Sequence, residues 1–116
     1  MHKVVITGFG VLAASGSDAE TFWSNLAAGR SSLGPLTQVR SEQLSTAVAG
    51  EIASFDPDAH FGKEVELLDR FAQFALVCTR RAMAQAGLPE RFGSAGAYAP
   101  ERAGVLTGTG MGGICT

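Results

Sequence analysis

The chain has 116 residues, a formal charge of −2, 46% hydrophobic and 17% charged residues, and 15 glycines, which describes a tightly packed α/β or β-rich protein and excludes a disordered or fibrous one. The near-neutral balance gives no electrostatic reason to expect nucleic acid or an anionic membrane as partner, and no apolar stretch approaches membrane-spanning length. Met-His-Lys leads straight into a strand-like run without a signal-peptide core, and the two distant cysteines, Cys78 and Cys115, make no disulfide framework, so the expectation is a cytoplasmic protein.

Residues 3–7 (K-V-V-I-T) are a continuous apolar, β-branched run closed by Gly8, the pattern of a parallel strand covered on both faces. Ser17 and Glu20 have the spacing of a capping box, and Asp18 adds a carboxylate at the positive end of a helix dipole. A helix therefore starts near Asp18. Its apolar positions Ala19, Phe22, Trp23, Leu26 and Ala27 recur at helical spacing and Gly29 ends it. The aromatic pair reads as core packing rather than ligand stacking. Residues 31–45 carry Gly34-Pro35 and no periodicity, which predicts a connecting loop, and residues 46–52 predict an extended edge segment. Phe55-Asp56-Pro57-Asp58 reads as a turn whose aspartates can start a helix.

A second helix is predicted over residues 64–86, with Leu67, Leu68, Phe71, Phe74, Ala75, Cys78, Ala82 and Ala86 as its buried stripe. Gly87 caps it and Pro89 prevents its continuation. Within the stripe, Cys78 reads as a small buried hydrophobe rather than a reactive thiol. A surface connection over residues 89–100 leads to a last strand through Ala103, Val105 and Leu106 to Thr107. Residues 3–7 and 104–107 are expected to be near-neighbouring parallel strands, with the second helix as a right-handed crossover.

The chain is organised around the loop that follows. Gly108, Gly110, Gly112 and Gly113 alternate with Thr109 and Met111, at the sheet edge where α/β proteins gather ligands. Four glycines in six residues imply that a ligand or another segment passes close by. Gly108-x-Gly110-x-x-Gly113, and Gly8-x-Gly10-x-x-Ala13 in relaxed form, match the dinucleotide fingerprint. Both lack its context: the sequence stops shortly after Gly113, where the fingerprint requires a helix, and Arg30 stands where the ribose-binding acid belongs. His2 and His60 have no ligand-spaced companions, so no metal site is expected. Arg80 and Arg81 read as a solvated face, and Cys115 as an ordinary residue past the loop. No Ser/His/Asp or Cys/His set can be assembled.

Six segments in order carry a resemblance: K-V-V-I-T-G-F-G-V at 3–11, F-W-S-N-L-A-A-G at 22–29, F-D-P at 55–57, D-R-F-A-Q-F-A-L at 69–76, A-M-A-Q-A-G-L at 82–88 and G-V-L-T-G-T-G-M-G-G at 104–113. The chain resembles the start of β-ketoacyl-ACP synthases, the condensing enzymes of type II fatty acid and polyketide synthesis. The resemblance implies an α/β, thiolase-like fold of mainly parallel sheet covered by helices, dimeric, with this chain as one N-terminal portion without internal boundary. It implies a decarboxylative Claisen condensation with malonyl-ACP, through a cysteine nucleophile and two histidines, and no cofactor.

Those catalytic residues match no position in residues 1–116, and Cys115 does not stand at the nucleophile's motif. The expected catalytic set within this chain is therefore empty. What carries over is substrate binding at Gly110, Met111 and Gly112, with Met111 facing the acyl pocket, and carrier-protein docking at Lys63 and Arg70. Here the docking segment reads Lys63-Glu64-Val65-Glu66-Leu67-Leu68, with Glu66 and Leu67 where relatives often carry positive charge. That implies a dedicated carrier, or docking shared with a partner subunit. The expected partners are acyl carrier protein, the remainder of the synthase, and a homodimer or a ketosynthase/chain-length-factor heterodimer. A non-catalytic chain-length-factor-like subunit is the alternative, and an independent binding module a third reading. Two strands buried on both faces need two helical layers, so residues 1–116 alone are expected to expose apolar surface and to show no condensation activity.

Overall fold

The computed structural model describes residues 3–40, 42, 44–62, 67–93 and 98–112. Its contacts gather into two units, Val11–His60 and a second made of Met1–Gly10 with Phe61–Thr116.

In the Val11–His60 unit, Ala13 and Gly16 exchange N–H···O bonds of 3.0 Å in both directions. Gly16 is buried against the start of the next helix, where a Cβ would strike the Phe22 amide nitrogen. Helix α1 spans Ala19–Ala27. Its cap is Asp18, not the Ser17 of the expected box. From an extended backbone (φ −145°) the Asp18 carboxylate accepts from the Thr21 amide and the Thr21 hydroxyl, each at 2.9 Å. A carboxylate serves an orphan N–H and the positive helix end together, which a serine hydroxyl does less well. The other end follows the sequence: Gly29, at φ 64°, donates to the Leu26 carbonyl and Arg30 to the Asn25 carbonyl, the paired bonds of a glycine-terminated helix.

The expected burial of α1 is not found. Trp23 is 69% exposed and Leu26 51%, and Phe22, beside Gly16, is half-buried. The reason lies beyond the helix itself, since no described helix or strand packs broadly on it. An apolar stripe creates a demand for burial without supplying the partner.

Two further expectations change in this unit. Gly34–Pro35, read as loop, is strand β1, and Val48–Ala49 is strand β2; they pair antiparallel with Gly34 opposite Ala49 and Pro35 opposite Val48. The expected edge segment shrinks to two residues, and Pro35 has no amide to offer a longer ladder. A side chain continues the connection instead. Glu51 accepts from the Thr37 amide at 2.9 Å, the Thr37 hydroxyl at 2.7 Å and the Gln38 amide at 2.9 Å. Past Pro57, the Asp56 carboxylate accepts from the Asp58 amide at 3.1 Å, and the four-residue helix α2 spans Asp58–Phe61, as the aspartates suggested. The Phe55 and His60 rings stack at 5.4 Å.

The other unit is built on helix α3, Arg70–Gln85. It begins after Asp69, which is extended (φ −60°, ψ 150°), so the expected helix is shortened at its start; residues 64–66 of that expectation lie outside the described residues. The Gln73 side chain turns back and donates to the Leu68 carbonyl at 2.8 Å, so a polar residue, only 7% exposed, is part of the buried surface. At the far end Gly87 (φ 66°) donates to the Ala84 carbonyl and Leu88 to the Met83 carbonyl, again as its glycine predicted.

The expected stripe needs correction as a list of core residues. Among described residues the buried hydrophobics are Phe61 and Val77; Leu67 is 86% exposed and Phe71 42%. The two expected strands are not formed among the described residues. Residues 3–7 and 104–107 belong to no sheet among the described residues, and Val4, Ile6, Val105 and Leu106 are 96%, 89%, 89% and 99% exposed. Strands of this composition take their ladder bonds from neighbours and their burial from layers on both faces. Among the described residues neither a neighbouring strand nor a second layer is present.

Hydrogen bonds from Thr37 and Gln38 hold the Glu51 carboxyl below its ordinary value of 4.5, against the opposing effect of desolvation. Because the folded value is the depressed one, this contribution to stability is complete above the unfolded value and fades as the pH falls through the folded one. Glu51→Gln is therefore expected to lower hydrogen-exchange protection of the Thr37 and Gln38 amides at neutral pH, with the difference from the parent shrinking as both are acidified. Equal protection at neutral pH would show that the carboxylate does not hold this turn.

Candidate functional site

One face of α3 receives both glycine-bearing segments that the sequence singles out. Along its later turns lies the segment leading out of residues 3–7. A Cβ on Gly8 would strike the Ala82 carbonyl oxygen and lie 3.1 Å from the Ala86 Cβ. A Cβ on Gly10 would strike the Cys78 carbonyl oxygen and lie 2.9 Å from the Cys78 Cα. Between them the Phe9 amide donates to Gln85 Oε1 at 2.7 Å. Cys78, Ala82 and Ala86 fall at i, i+4 and i+8, so one helical stripe of small side chains lets an extended backbone lie almost on the helix backbone. This contact explains the Gly8-x-Gly10 spacing by packing. No phosphate is needed to account for it.

The glycine loop meets the same face at the first turn of α3. Phe71 precedes Cys78 by seven residues, two helical turns. A Cβ on Gly112 would stand 2.7 Å from Phe71 Cδ2 and 2.7 Å from the Thr109 hydroxyl oxygen, and that hydroxyl accepts from the Gly112 amide at 3.0 Å. By contrast, nothing lies within 4 Å of a Cβ on Gly108 or Gly110, and neither these two nor Gly112 has the left-handed backbone that glycine alone favours. Close approach to Phe71 is thus the one requirement for glycine visible in the described loop, and it falls on Gly112.

The three residues expected to bind substrate are close in space because they are consecutive, and the structure differentiates them. Gly112 is the seat of the loop on α3, Gly110 stands in open space, and Met111 between them is 78% exposed. An apolar, flexible thioether held out on a supported loop suits a wall contacting a chain of variable length. Of the two residues expected to dock the carrier, Arg70 is the exposed first residue of α3, its guanidinium 5.1 Å from the centre of the Phe74 ring. Lys63 lies outside the described residues, as do Glu66, Gly113, Cys115 and His2.

Cys78 fits its reading as a packing residue. Half-buried beneath Gly10, its thiol is pushed up by burial, against a smaller downward pull from Arg81, which disfavours the reactive thiolate. Among the described residues there is no cluster of metal-ligating side chains. No helix is long and apolar enough to cross a membrane among them. A cleft of about 390 Å³ lies elsewhere on α3, with Leu76, Met83 and Leu88 as its apolar lining and Arg80 and Arg91 at its edge. Sequence reasoning took Phe71 as one more core position and missed Gln73 and Gln85. The glycine at 112 was the available signal for Phe71, since it announced a close neighbour without identifying it.

Comparison with known proteins gives the family. The family described as "Beta-ketoacyl synthase, N-terminal domain" matches residues 1–115. The chain is 36% identical over 115 residues to a 3-oxoacyl-[acyl-carrier-protein] synthase 2 of Staphylococcus aureus, covering 98% of this chain and 27% of the relative. It is 40% identical over 113 residues to a putative polyketide beta-ketoacyl synthase 2 of Streptomyces coelicolor, covering 97% and 26%. Among solved structures it resembles the ishigamide ketosynthase/chain length factor, with a TM-score of 0.66 and 34% identity over 74% of this chain and 22% of that one. The chain thus spans about a quarter of the length of these relatives.

The α3 contacts predict a specific sensitivity. In the whole protein, Gly8→Ala and Gly10→Ala should each destabilise by about 1–3 kcal/mol, because the added methyl meets helix backbone that cannot rotate away as a side chain would. Thermal melts of the two variants indistinguishable from the parent would remove this contact from the account.

Proposed function

Starting from a chain that belongs to the β-ketoacyl synthase family through its N-terminal domain, we propose that it is part of a β-ketoacyl-[acyl-carrier-protein] synthase. The enzyme elongates acyl chains by decarboxylative Claisen condensation. An acyl group waits as a thioester on an enzyme cysteine, and malonyl-ACP loses carbon dioxide. The resulting enolate carbon attacks the thioester carbonyl, and the carbon–sulfur bond breaks to leave a β-ketoacyl chain on the carrier and a free enzyme thiol. In this reading the nucleophile and the histidines that assist decarboxylation belong to the synthase outside residues 1–116, and no cofactor takes part. Cys78, packed under Gly10 with its thiolate disfavoured, is not the nucleophile. The observation that carries the proposal is the family match over residues 1–115.

The contribution of these residues is structural and selective. Residues 1–116 form a continuous N-terminal portion of the synthase domain. The runs at residues 3–7 and 104–107, whose apolar side chains stand exposed, become strands of the mainly parallel, thiolase-like sheet when the remainder of the synthase covers them. The loop Gly110, Met111 and Gly112 forms one wall of the acyl pocket. Arg70, with Lys63, receives the acidic carrier, and the acidic Glu66 beside them favours a dedicated carrier over a generic one. Assembly is as a homodimer or a ketosynthase/chain-length-factor heterodimer, in the cytoplasm.

The test is condensation by the complete protein, with any partner subunit it needs, on acyl- and malonyl-carrier substrates. Release of carbon dioxide with formation of β-ketoacyl-carrier is expected. In Met111→Trp the longest accepted primers should lose about tenfold or more in kcat/KM, while short primers are spared, because an overfilled pocket rejects length first. Absence of condensation from the complete assembly would refute the enzyme reading, and an unchanged chain-length preference in Met111→Trp would remove Met111 from the pocket.

A further inference from the structure

We infer that Phe71 is a positioning residue for chain-length selection: through its contact with Gly112 it sets how far Met111 stands from the acyl chain. The inference rests on the reading of Met111 as a wall of the acyl pocket. It goes beyond that reading by identifying which part of the scaffold fixes the wall's place.

A Cβ on Gly108 or Gly110 would meet nothing within 4 Å, so among the described loop glycines the close approach to another element falls at Gly112. There, two groups occupy the space a side chain would need. One, the Thr109 hydroxyl, belongs to the loop itself and folds it by accepting the Gly112 amide at 3.0 Å. The other, Phe71, belongs to α3. Its ring edge is thus the support that ties the loop to the helix, and the Gly112 backbone rests on it one residue after Met111. Phe71 stands on the stripe whose later positions, Cys78, Ala82 and Ala86, carry Gly8 and Gly10. The ring therefore sits on an element fixed at its other end by a second segment.

A direction follows. Phe71 occupies the α3 side of the loop at Gly112, and Met111 is 78% exposed, so an acyl chain meeting Met111 is assigned to the side away from α3. Shortening the residue at 71 lets Gly112 settle toward the helix and draws Met111 back from the chain. Longer primers then fit. A ring at 71 holds the wall forward whether or not it carries a hydroxyl, because the contact with Gly112 is made by Cδ2 and Cγ rather than by the para carbon.

The experiment uses the complete synthase with any partner subunit, and compares kcat/KM for lauroyl- and butyryl-carrier primers. Phe71→Leu should raise the lauroyl-to-butyryl ratio about tenfold, on the scale of small volume changes in an apolar pocket. Phe71→Met should shift it the same way by less, which keeps the test decisive if the leucine variant folds poorly, and Phe71→Tyr should restore the parent ratio. A ratio unchanged in both Phe71→Leu and Phe71→Met, with a lowered Tm, would overturn the inference and leave Phe71 a packing residue. Met111→Trp, run in parallel, separates the two levels. If it alters the ratio while the Phe71 variants do not, only the positioning role falls; if it too leaves the ratio unchanged, the wall reading itself falls.

Discussion

The described structure depends most on one constraint: an extended backbone lies against the backbone of α3, with nothing larger than a hydrogen at Gly8 and Gly10 and nothing larger than cysteine at positions 78, 82 and 86. Such an approach trades side-chain volume for contact between main chains, and leaves little room for either to shift. The Phe9 amide adds a directional element by donating to Gln85, which fixes the segment's register along the helix. The same helix face, two turns earlier, carries Phe71 and so the glycine loop. One stripe on one helix thereby relates the chain's first segment to the loop that bears the candidate site.

That arrangement also accounts for what is exposed. α3 presents one face to the glycine-bearing segments, and the apolar runs flanking them, at residues 3–7 and 104–107, offer side chains that this face does not cover. In the proposed synthase those side chains are the demand that the remaining sheet and helices meet. The exposed Trp23 and Leu26 of α1 belong to the same account. Exposed apolar surface of this kind is what the proposed synthase would cover with its remaining polypeptide.

How much of this was legible in the sequence divides by the range of the interaction. Helix ends set by glycine, at Gly29 and Gly87, were read correctly, because a left-handed residue and two bonds inside one turn decide them. The cap of α1 was misplaced by one residue, since Ser17 and Asp18 both satisfy the local pattern and the stronger acceptor prevails. Of the small β1–β2 pair, β2 falls within the extended segment expected at 46–52, while β1 was read as loop because the contacts that hold it, from Thr37 and Gln38 to Glu51, act across the sequence. Burial was the least legible. Periodicity places Trp23, Leu67 and Phe71 on apolar stripes, but only another element can bury them. For the candidate site, the glycines announced that something passes close by, while the identity of that neighbour, Phe71 for Gly112 and α3 itself for Gly8 and Gly10, needed coordinates.

The account stands or falls on where the acyl chain lies relative to the loop seated on α3. A structure of the complete synthase carrying an acyl group on its nucleophile measures this directly. Met111 should be within about 4 Å of the acyl chain, on the side away from α3, with Gly112 still against Phe71. An acyl chain running elsewhere, with Met111 turned to solvent or toward the helix, would contradict it.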